Sequence, residues 1–165
     1  MKKIFLLCIS LFIITNSCRI YLIKKIPKPI GWINDFENDF TKQEELSLDS
    51  IVRNFERQTS IEIAIVTLDS SYVKNRNFDS LTLQIARNWN VGKKDKLNGI
   101  LISFSKKLKK IRIENANGIS KIISNEETKT CIDKDFIPFF RDGKDYLGML
   151  NGINKLIELI NSKLI

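Results

Sequence analysis

The pattern of apolar positions predicts a helix, a strand and a second helix between residues 41 and 90. Thr41 and Glu44 have the spacing of a capping box, so we expect the first helix to begin at Lys42 and to end near Thr59. Residues 61–68 alternate at first and then become continuously apolar, which is typical of a central strand buried on both faces. Helical spacing then predicts the second helix from Leu81, Leu83, Ile85, Ala86 and Trp89.

The second half of the chain predicts two paired strands followed by two helices. Residues 99–104 and 110–114 have strand patterns, and the short connection between them pairs the two strands as an antiparallel hairpin. Helical spacing resumes at Glu126, with a stop expected around Pro138, and the last helix should begin near Asp145. The order helix, strand, helix, strand, strand, helix, helix predicts an α/β fold. We expect a three-layer α/β/α sandwich with a mixed central sheet containing one antiparallel hairpin.

The N-terminus has the features of an export signal. Residues 4–14 form an apolar run after a basic start, and the run is shorter than the ~20 residues that a spanning helix needs. The following residues 15–18 resemble a lipobox, in which Cys18 would carry the lipid. We therefore predict a signal peptide at 1–17, a tether at 18–32 and a folded domain at 33–165. A plain secretory signal and an uncleaved anchor are the alternatives, and all three place the domain outside the cytoplasm.

The composition excludes several kinds of catalytic site. The sequence contains no histidine, so Ser-His-Asp and Cys-His nucleophiles lack their base and a zinc site lacks its commonest nitrogen ligand. Of the three cysteines, Cys8 lies in the predicted leader and no disulfide framework is expected. Cys131 has no histidine to activate it, so we expect it to be a buried structural residue.

Several separate segments resemble those of the TPM domain family, in the same order along the chain. Asn34-Asp35 stands where the family opens with an Asn-Asp pair, and the strand at 61–67 matches the family's first strand with its Val-Thr end. Further matches are a Trp-containing turn, an Asn-Gly pair before an apolar strand and a Pro-Phe-Phe-Arg-Asp-Gly segment, at residues 89–93, 98–102 and 137–146. The chain is similar to the family from residue 33 to residue 157.

The resemblance implies divalent metal binding, acid phosphatase activity in some members, and assembly or repair of membrane protein complexes in others. Three acidic positions of the family pattern are neutral here, because Leu97, Ser120 and Asn125 stand where relatives carry Asp, Glu and Asp. Each lost carboxylate weakens the attraction for a dication. No cofactor is firmly predicted; calcium or another divalent cation, held weakly, is what the family suggests.

The candidate metal ligands that remain are Asp35, Asn98 and Asn125. Asp35 matches the family's opening pair, and the two asparagines stand at or beside positions that carry acids in relatives. Asp69, Asp95 and Glu114 are further candidates, although for these we favour a capping or solvated acid. Asn125 is equally well explained as a turn residue.

Lysines cluster in and around the predicted hairpin turn. The predicted basic surface consists of Lys106, Lys107, Lys109 and Lys110, in a chain of net charge +8. Because an exported protein meets anionic lipids or acidic partners, we predict no nucleic-acid partner. The alternative is that these lysines are solvated turn residues that protect a sheet edge from aggregation.

The sequence therefore predicts a membrane-anchored lipoprotein of the cell envelope. Its TPM-like domain would act as a non-catalytic binding or assembly module for a membrane-associated partner, with an envelope protein as the candidate. The main alternative is a divalent-metal-dependent acid phosphatase with a degenerate acidic site. A simple membrane-surface tether is the third hypothesis.

Overall fold

Four strands form one mixed sheet at the centre of the molecule. The computed structural model describes residues 25–73, 77–92 and 97–164, so Cys18, Asp95 and the predicted signal peptide lie outside the described residues. The strands are β1 (Ile33–Asp35), β2 (Glu62–Thr67), β3 (Gly99–Ser105) and β4 (Lys110–Asn115). They lie side by side in chain order, with β1, β2 and β3 parallel and β3 and β4 antiparallel. The predicted mixed sheet with its antiparallel hairpin is confirmed.

Helices connect the strands and complete the C-terminal half. The α-helices are α1 (Lys42–Thr59), α2 (Ser70–Val73), α3 (Phe78–Trp89), α4 (Asn125–Cys131), α5 (Ile137–Arg141) and α6 (Asp145–Asn161). A 3-10 turn spans Ile119–Lys121, and a π-helical turn at Ile132–Phe136 joins α4 to α5. Helix α1 begins at Lys42 with the predicted capping box, in which the Thr41 hydroxyl and the Glu44 carboxylate each accept a backbone N–H.

The alternating side chains of β2 enter two separate apolar cores, one on each face of the sheet. Ile63 and Ile65 belong to the larger core, which is completed by α1, the π turn and α6. Ala64 and Val66 belong to the smaller core, which is completed by α2 and α3. A strand that is buried on both faces accounts for the apolar run seen in the sequence, and the α/β fold class is confirmed.

Strand β1, helix α2 and the helical path around Pro138 are among the elements that differ from the prediction. Strand β1 was not predicted, because its three residues are too few to show a period and its conformation depends on pairing with β2. The expected stop around Pro138 is wrong, since the helical path continues to Arg141. The π turn ends at Phe136, two residues before Pro138, and Asn151 of α6 donates to the Asp135 carbonyl within that turn at 2.8 Å.

The last part of the predicted tether lies against the domain. The Trp89 indole donates to the Pro27 carbonyl at 2.7 Å, and Ile26 packs on the smaller core. The side chain of Asn34 accepts from the Ile30 amide at 2.6 Å and donates to the Gly31 carbonyl, which holds the chain just before β1. Residues 25–32 therefore run along the α3 side of the domain before the sheet begins.

Candidate functional site

Four carboxylates gather at the carboxyl ends of the parallel strands. Asp35 ends β1, Glu37 and Asp39 follow it, and Asp145 begins α6. The electrostatic effects of Asp35, Glu37 and Asp145 all reach Asp39, so the four side chains occupy one region, which we call the acidic cluster. The carboxyl ends of parallel strands meet at one edge of a sheet, which brings residues that are distant in sequence together there.

Asp35 is held by backbone and hydroxyl donors. Its two oxygens accept the amides of Asp39 at 3.1 Å and of Phe40 at 2.8 Å. The hydroxyl of Thr67, at the end of the neighbouring strand β2, donates to the same carboxylate. These donors fix the turn that leads from β1 to α1, so Asp35 has a clear structural role. Charged hydrogen bonds of this kind are stronger than neutral ones.

Glu37 and Asp145 are both contacted by the start of the β3–β4 hairpin turn. Glu37 accepts the backbone amides of Lys106 at 3.0 Å and Lys107 at 3.2 Å. The Lys106 ammonium lies 2.6 Å from Asp145, whose side chain is only 6% exposed. Hydrogen bonding and charge attraction from Asp145 raise the pKa of Lys106. The cluster therefore already contains a cation that belongs to the protein.

Asp39 is the carboxylate in the least favourable environment. Burial, with repulsion from Glu37 and Asp35, raises the pKa of Asp39 to about 7, although Lys106 acts in the opposite direction. Its Oδ2 atom is buried and has no hydrogen-bond partner among the described residues. Asp39 is therefore expected to carry a proton over much of the range from pH 4 to pH 7.

A cavity of about 810 Å³ adjoins the acidic cluster. It lies beside the β3–β4 hairpin. Asp145 belongs to both the cavity wall and the acidic cluster, and Lys106, which contacts Asp145, also lines the cavity. Its apolar lining consists of Phe78, Phe104, Ile111, Ile132, Ile137 and Phe140, and the Phe104 and Phe140 rings are 4.3 Å apart. Its cationic lining consists of Lys106, Lys109, Lys110, Lys129 and Arg141, and its acidic lining of Asp79, Asp133 and Asp145. We call this cavity the hairpin groove. Its volume is in the range of ligand-binding clefts.

The four lysines of the predicted basic surface lie in and beside the hairpin turn and are all exposed. Lys106 and Lys107 contact the acidic cluster through their backbone amides, whereas Lys109 and Lys110 line the hairpin groove. Lys109 has a left-handed backbone with φ of 51°, which completes the tight turn. The cluster and the basic turn are thus parts of one surface.

The two asparagines predicted as metal ligands lie at the other end of the sheet from Asp35. Asn98 immediately precedes β3, and the strand register pairs the first residue of β3 with Glu62, at the start of β2. Its side-chain amide donates to the Ser60 carbonyl. Asn125 is exposed at the first position of α4, and this helix reaches the same end of the sheet because its Thr128 hydroxyl accepts the side-chain amide of Asn115, the last residue of β4. The structure therefore does not bring Asp35 together with Asn98 and Asn125, and no single ion could contact both ends.

The remaining candidates from the sequence have local structural contacts. Asp69 accepts the Ser71 amide at 2.7 Å at the start of α2. Glu114 pairs with Arg112 and accepts the Thr82 hydroxyl at 3.1 Å. Cys131 is buried against the Gly152 carbonyl, and burial raises the pKa of its thiol to about 12. A thiol with such a pKa is not a nucleophile near neutral pH.

Three members of the acidic cluster were not predicted from the sequence. Glu37 and Asp39 follow Asp35 at every second position, and this acidic alternation was the signal that could have indicated them. Asp145 lies far along the chain, so only the fold shows that it contacts Lys106. Among the described residues, no group of three or more Asp, Glu, Cys or His side chains is arranged to hold a metal ion.

Comparison with known families decides the classification. The TPM domain family model matches residues 33–159. The chain belongs to the TPM domain family. The similarity detected from separate sequence segments is thereby confirmed over most of the folded region.

Solved structures of several bacterial proteins share this fold. The N-terminal domain of a protein from P. gingivalis aligns with a TM-score of 0.73 and 23% identity, covering 81% of this chain and 83% of that one. The BA42 protein of Bizionia argentinensis aligns with a TM-score of 0.67 and 22% identity, covering 78% and 86%. An N-terminal domain from Corynebacterium glutamicum gives a TM-score of 0.59 at 11% identity, covering 84% of each chain. At these identities the likeness establishes the fold alone.

Neither the curated proteins nor the described helices of the domain give a further indication of function. Comparison with curated proteins gives no significant match. In the part of the chain that the structure describes, none of the helices combines the length and the apolar character that a membrane crossing requires.

Proposed function

We propose that this TPM domain is a non-catalytic binding or assembly module of the cell envelope, held at the membrane by a lipid on Cys18. The hairpin groove is the surface that would contact the membrane-associated partner. It combines an apolar floor with exposed cations, which is a suitable surface for an acidic protein segment.

One observation carries the choice of a binding module over an enzyme. The Lys106 ammonium contacts the buried Asp145 carboxylate, at the place where carboxylates would otherwise attract a dication. Backbone amides occupy Glu37 and Asp35 from the same region. A divalent ion would have to compete with a cation that the protein supplies itself, so the residues present fit a resident metal ion poorly.

A phosphatase remains the second candidate, because one feature of the cluster favours it. Asp39 has a pKa of about 7 and could hold a proton for transfer to a leaving group in mildly acidic conditions. Its position among three other carboxylates would, however, repel a phosphate ester. The binding module is therefore the function that the charges of the site support best.

A turnover assay separates the two candidates. Full-length protein in detergent would be assayed with p-nitrophenyl phosphate between pH 5 and pH 8, with calcium or magnesium and with a chelator. We expect no turnover above that of the Asp35→Ala variant under any of these conditions. Chelator-sensitive turnover that is lost in both Asp35→Ala and Asp39→Ala would instead establish the phosphatase.

Partner contact can be tested in cells of the source organism. A photoreactive amino acid at Lys107, beside the groove, should cross-link one envelope protein in a defined ratio. The same group at Lys121, at the opposite end of β4, is the matched control and should give no such product. Equal products from the two positions would contradict a specific partner at the hairpin.

The membrane anchor has its own test. In the Cys18→Ser variant we expect the protein to leave the membrane fraction and to appear in the soluble fraction of the envelope. Unchanged membrane association would contradict lipidation and favour an uncleaved anchor helix.

A further inference from the structure

Strand β4 is the edge strand that borders the hairpin groove. It pairs with β3 on one side, and no strand pairs with it on the other side within the described residues. An edge strand presents a row of backbone donors and acceptors that a further strand can use. The question is which groups of β4 face that open side.

The register identifies these groups. The Ala116 amide, just after β4, donates to the Gly99 carbonyl, and the Leu68 amide, just after β2, donates to the Phe104 carbonyl. The backbone amides and carbonyls of successive β3 residues therefore point alternately towards β4 and β2. In β4, those of Lys110, Arg112 and Glu114 point towards β3. The amides and carbonyls of Ile111 and Ile113 consequently point away from the sheet, towards the open edge.

The hairpin groove passes around this edge. Its lining includes Phe78, which belongs to the core on one face of the sheet, and Ile132 and Phe140, which pack on the core of the other face. The groove also contains Lys109 from the hairpin turn and Lys110 and Ile111 from the start of β4, so it passes from one face to the other at the hairpin end of this edge strand. The start of α3 and the π turn therefore flank the exposed backbone of β4.

The charges of the groove select the chemistry of an occupant. Lys106 and Lys129 are paired with Asp145 and Asp133. Among the described residues, no carboxylate lies within 4.0 Å of the charged groups of Lys109, Lys110 or Arg141. These three cations rim the opening, so an acidic segment would be favoured there.

We propose that the β4 edge binds an extended, acidic segment of a partner protein, which adds a fifth strand to the sheet beside Ile111 and Ile113. Backbone hydrogen bonds supply the affinity, and alternate side chains of the segment enter the apolar floor of the groove and contact its cations. This proposal rests on the function as a binding module and names the chemistry of its partner. A bilayer surface could contact the lysines, but it would leave the backbone groups of β4 unused.

The probe is a fluorescein-labelled octapeptide in which valine and glutamate alternate, titrated against the full-length protein in detergent. Its matched control is the same peptide with lysine in place of glutamate. We expect the acidic peptide to bind at least ten-fold more tightly than the basic one. On addition of the acidic peptide, the amide chemical shifts of Ile111 and Ile113 in the protein of native sequence should change. Equal affinities, or shifts confined to other elements, would overturn the proposal.

Two pairs of variants locate the binding. Ile111→Pro removes an outward N–H without breaking a bond to β3, and it should weaken acidic-peptide binding about ten-fold. Ile111→Ala keeps that N–H, so its affinity for the acidic peptide should fall by only about three-fold. The double variant Lys109→Glu/Lys110→Glu should abolish binding, whereas Lys121→Glu should not change it. Equal losses in Ile111→Pro and Ile111→Ala would contradict strand addition.

Anionic vesicles test the competing surface. One contrary outcome is that phosphatidylglycerol vesicles are bound by the native protein and by Ile111→Pro but not by Lys109→Glu/Lys110→Glu. If, in addition, the acidic peptide does not bind, the surface is a membrane contact and the proposal fails. Aggregation of Lys109→Ala/Lys110→Ala without peptide binding by the native protein would likewise assign these lysines to edge protection. Neither outcome depends on the turnover assay, so the binding module and the strand-addition site can fail separately.

Discussion

At the carboxyl ends of the parallel strands, carboxylates and lysines meet around an open groove, whereas at the amino ends the chain closes by direct backbone packing. A Cβ added to Gly99 would lie 1.9 Å from the Val91 carbonyl oxygen, and Gly92 has a positive φ of 89°. Glu62 at this end accepts the Gly92 amide at 2.8 Å. The amino end is therefore closed by packing, whereas the carboxyl end leaves Lys109, Lys110 and Arg141 exposed around the hairpin groove.

The largest effect is expected at the amino end. Gly99→Ala should lower the free energy of unfolding by about 3 kcal/mol, because the new methyl group meets backbone that cannot rotate away. Denaturant titration of the full-length protein measures this. Gly31→Ala is the matched control, since nothing lies within 4 Å of its added Cβ. Equal stability of the two variants would show that the amino end is less tightly packed than described.

At the carboxyl end, removing the internal cation should cost less. Lys106→Met leaves the buried Asp145 carboxylate without its partner and should lower the free energy of unfolding by about 1–2 kcal/mol. Lys144→Met is the control, because its partner Asp142 is 64% exposed, and it should have almost no effect. Lys106→Met/Asp145→Asn should recover part of the loss. If Lys106→Met leaves the free energy of unfolding unchanged, this lysine does not stabilise the acidic cluster.

The smallest stability effect concerns Asp39 and depends on pH. Because the folded state raises the pKa of Asp39 to about 7, folding takes up a proton between about pH 4 and pH 7. Stability contributed by the protonated carboxyl is therefore lost as the pH rises through that range. Asp39→Asn mimics the protonated form, so it should be more stable than the native protein at pH 8 by about 1 kcal/mol, after allowance for solvent screening.

The same Asp39 comparison has a clear control and a clear contrary result. At pH 4 the difference between Asp39→Asn and the native protein should disappear. Asp142→Asn, which changes an acid that is 64% exposed, is the matched control for removing one carboxylate. If Asp39→Asn is less stable than the native protein at both pH values, the carboxylate is stabilised in its charged form and the description of the cluster is wrong.

The sequence patterns predicted the elements that carry their own signals. The capping box of α1, the buried run of β2 and the hairpin of β3 and β4 all depend on residues close together along the chain. Strand β1 depends instead on pairing with β2, and the passage of the helix through Pro138 depends on the π turn and on Asn151 of α6. Such features require the tertiary structure.

The site was less predictable than the fold for the same reason. Asp35 was named as a candidate ligand from the sequence, but its neighbours come from the turn after β1, the β3–β4 hairpin and the start of α6. The contact between Lys106 and Asp145 joins two of these segments, and no local pattern encodes it. Asn98 and Asn125 matched family positions in sequence, yet the strand register places Asn98 at the other end of the sheet from Asp35, and Asn125 begins a helix that contacts the end of β4.

Calcium titration of the full-length protein in detergent, with the native chain beside Lys106→Ala, tests most directly whether the protein's own lysine neutralises the acidic cluster. We expect a dissociation constant for the native protein weaker than about 1 mM, and binding about ten-fold tighter once the ammonium is removed. Submillimolar calcium binding by the native protein, lost in Asp35→Ala and no tighter in Lys106→Ala, would contradict the account.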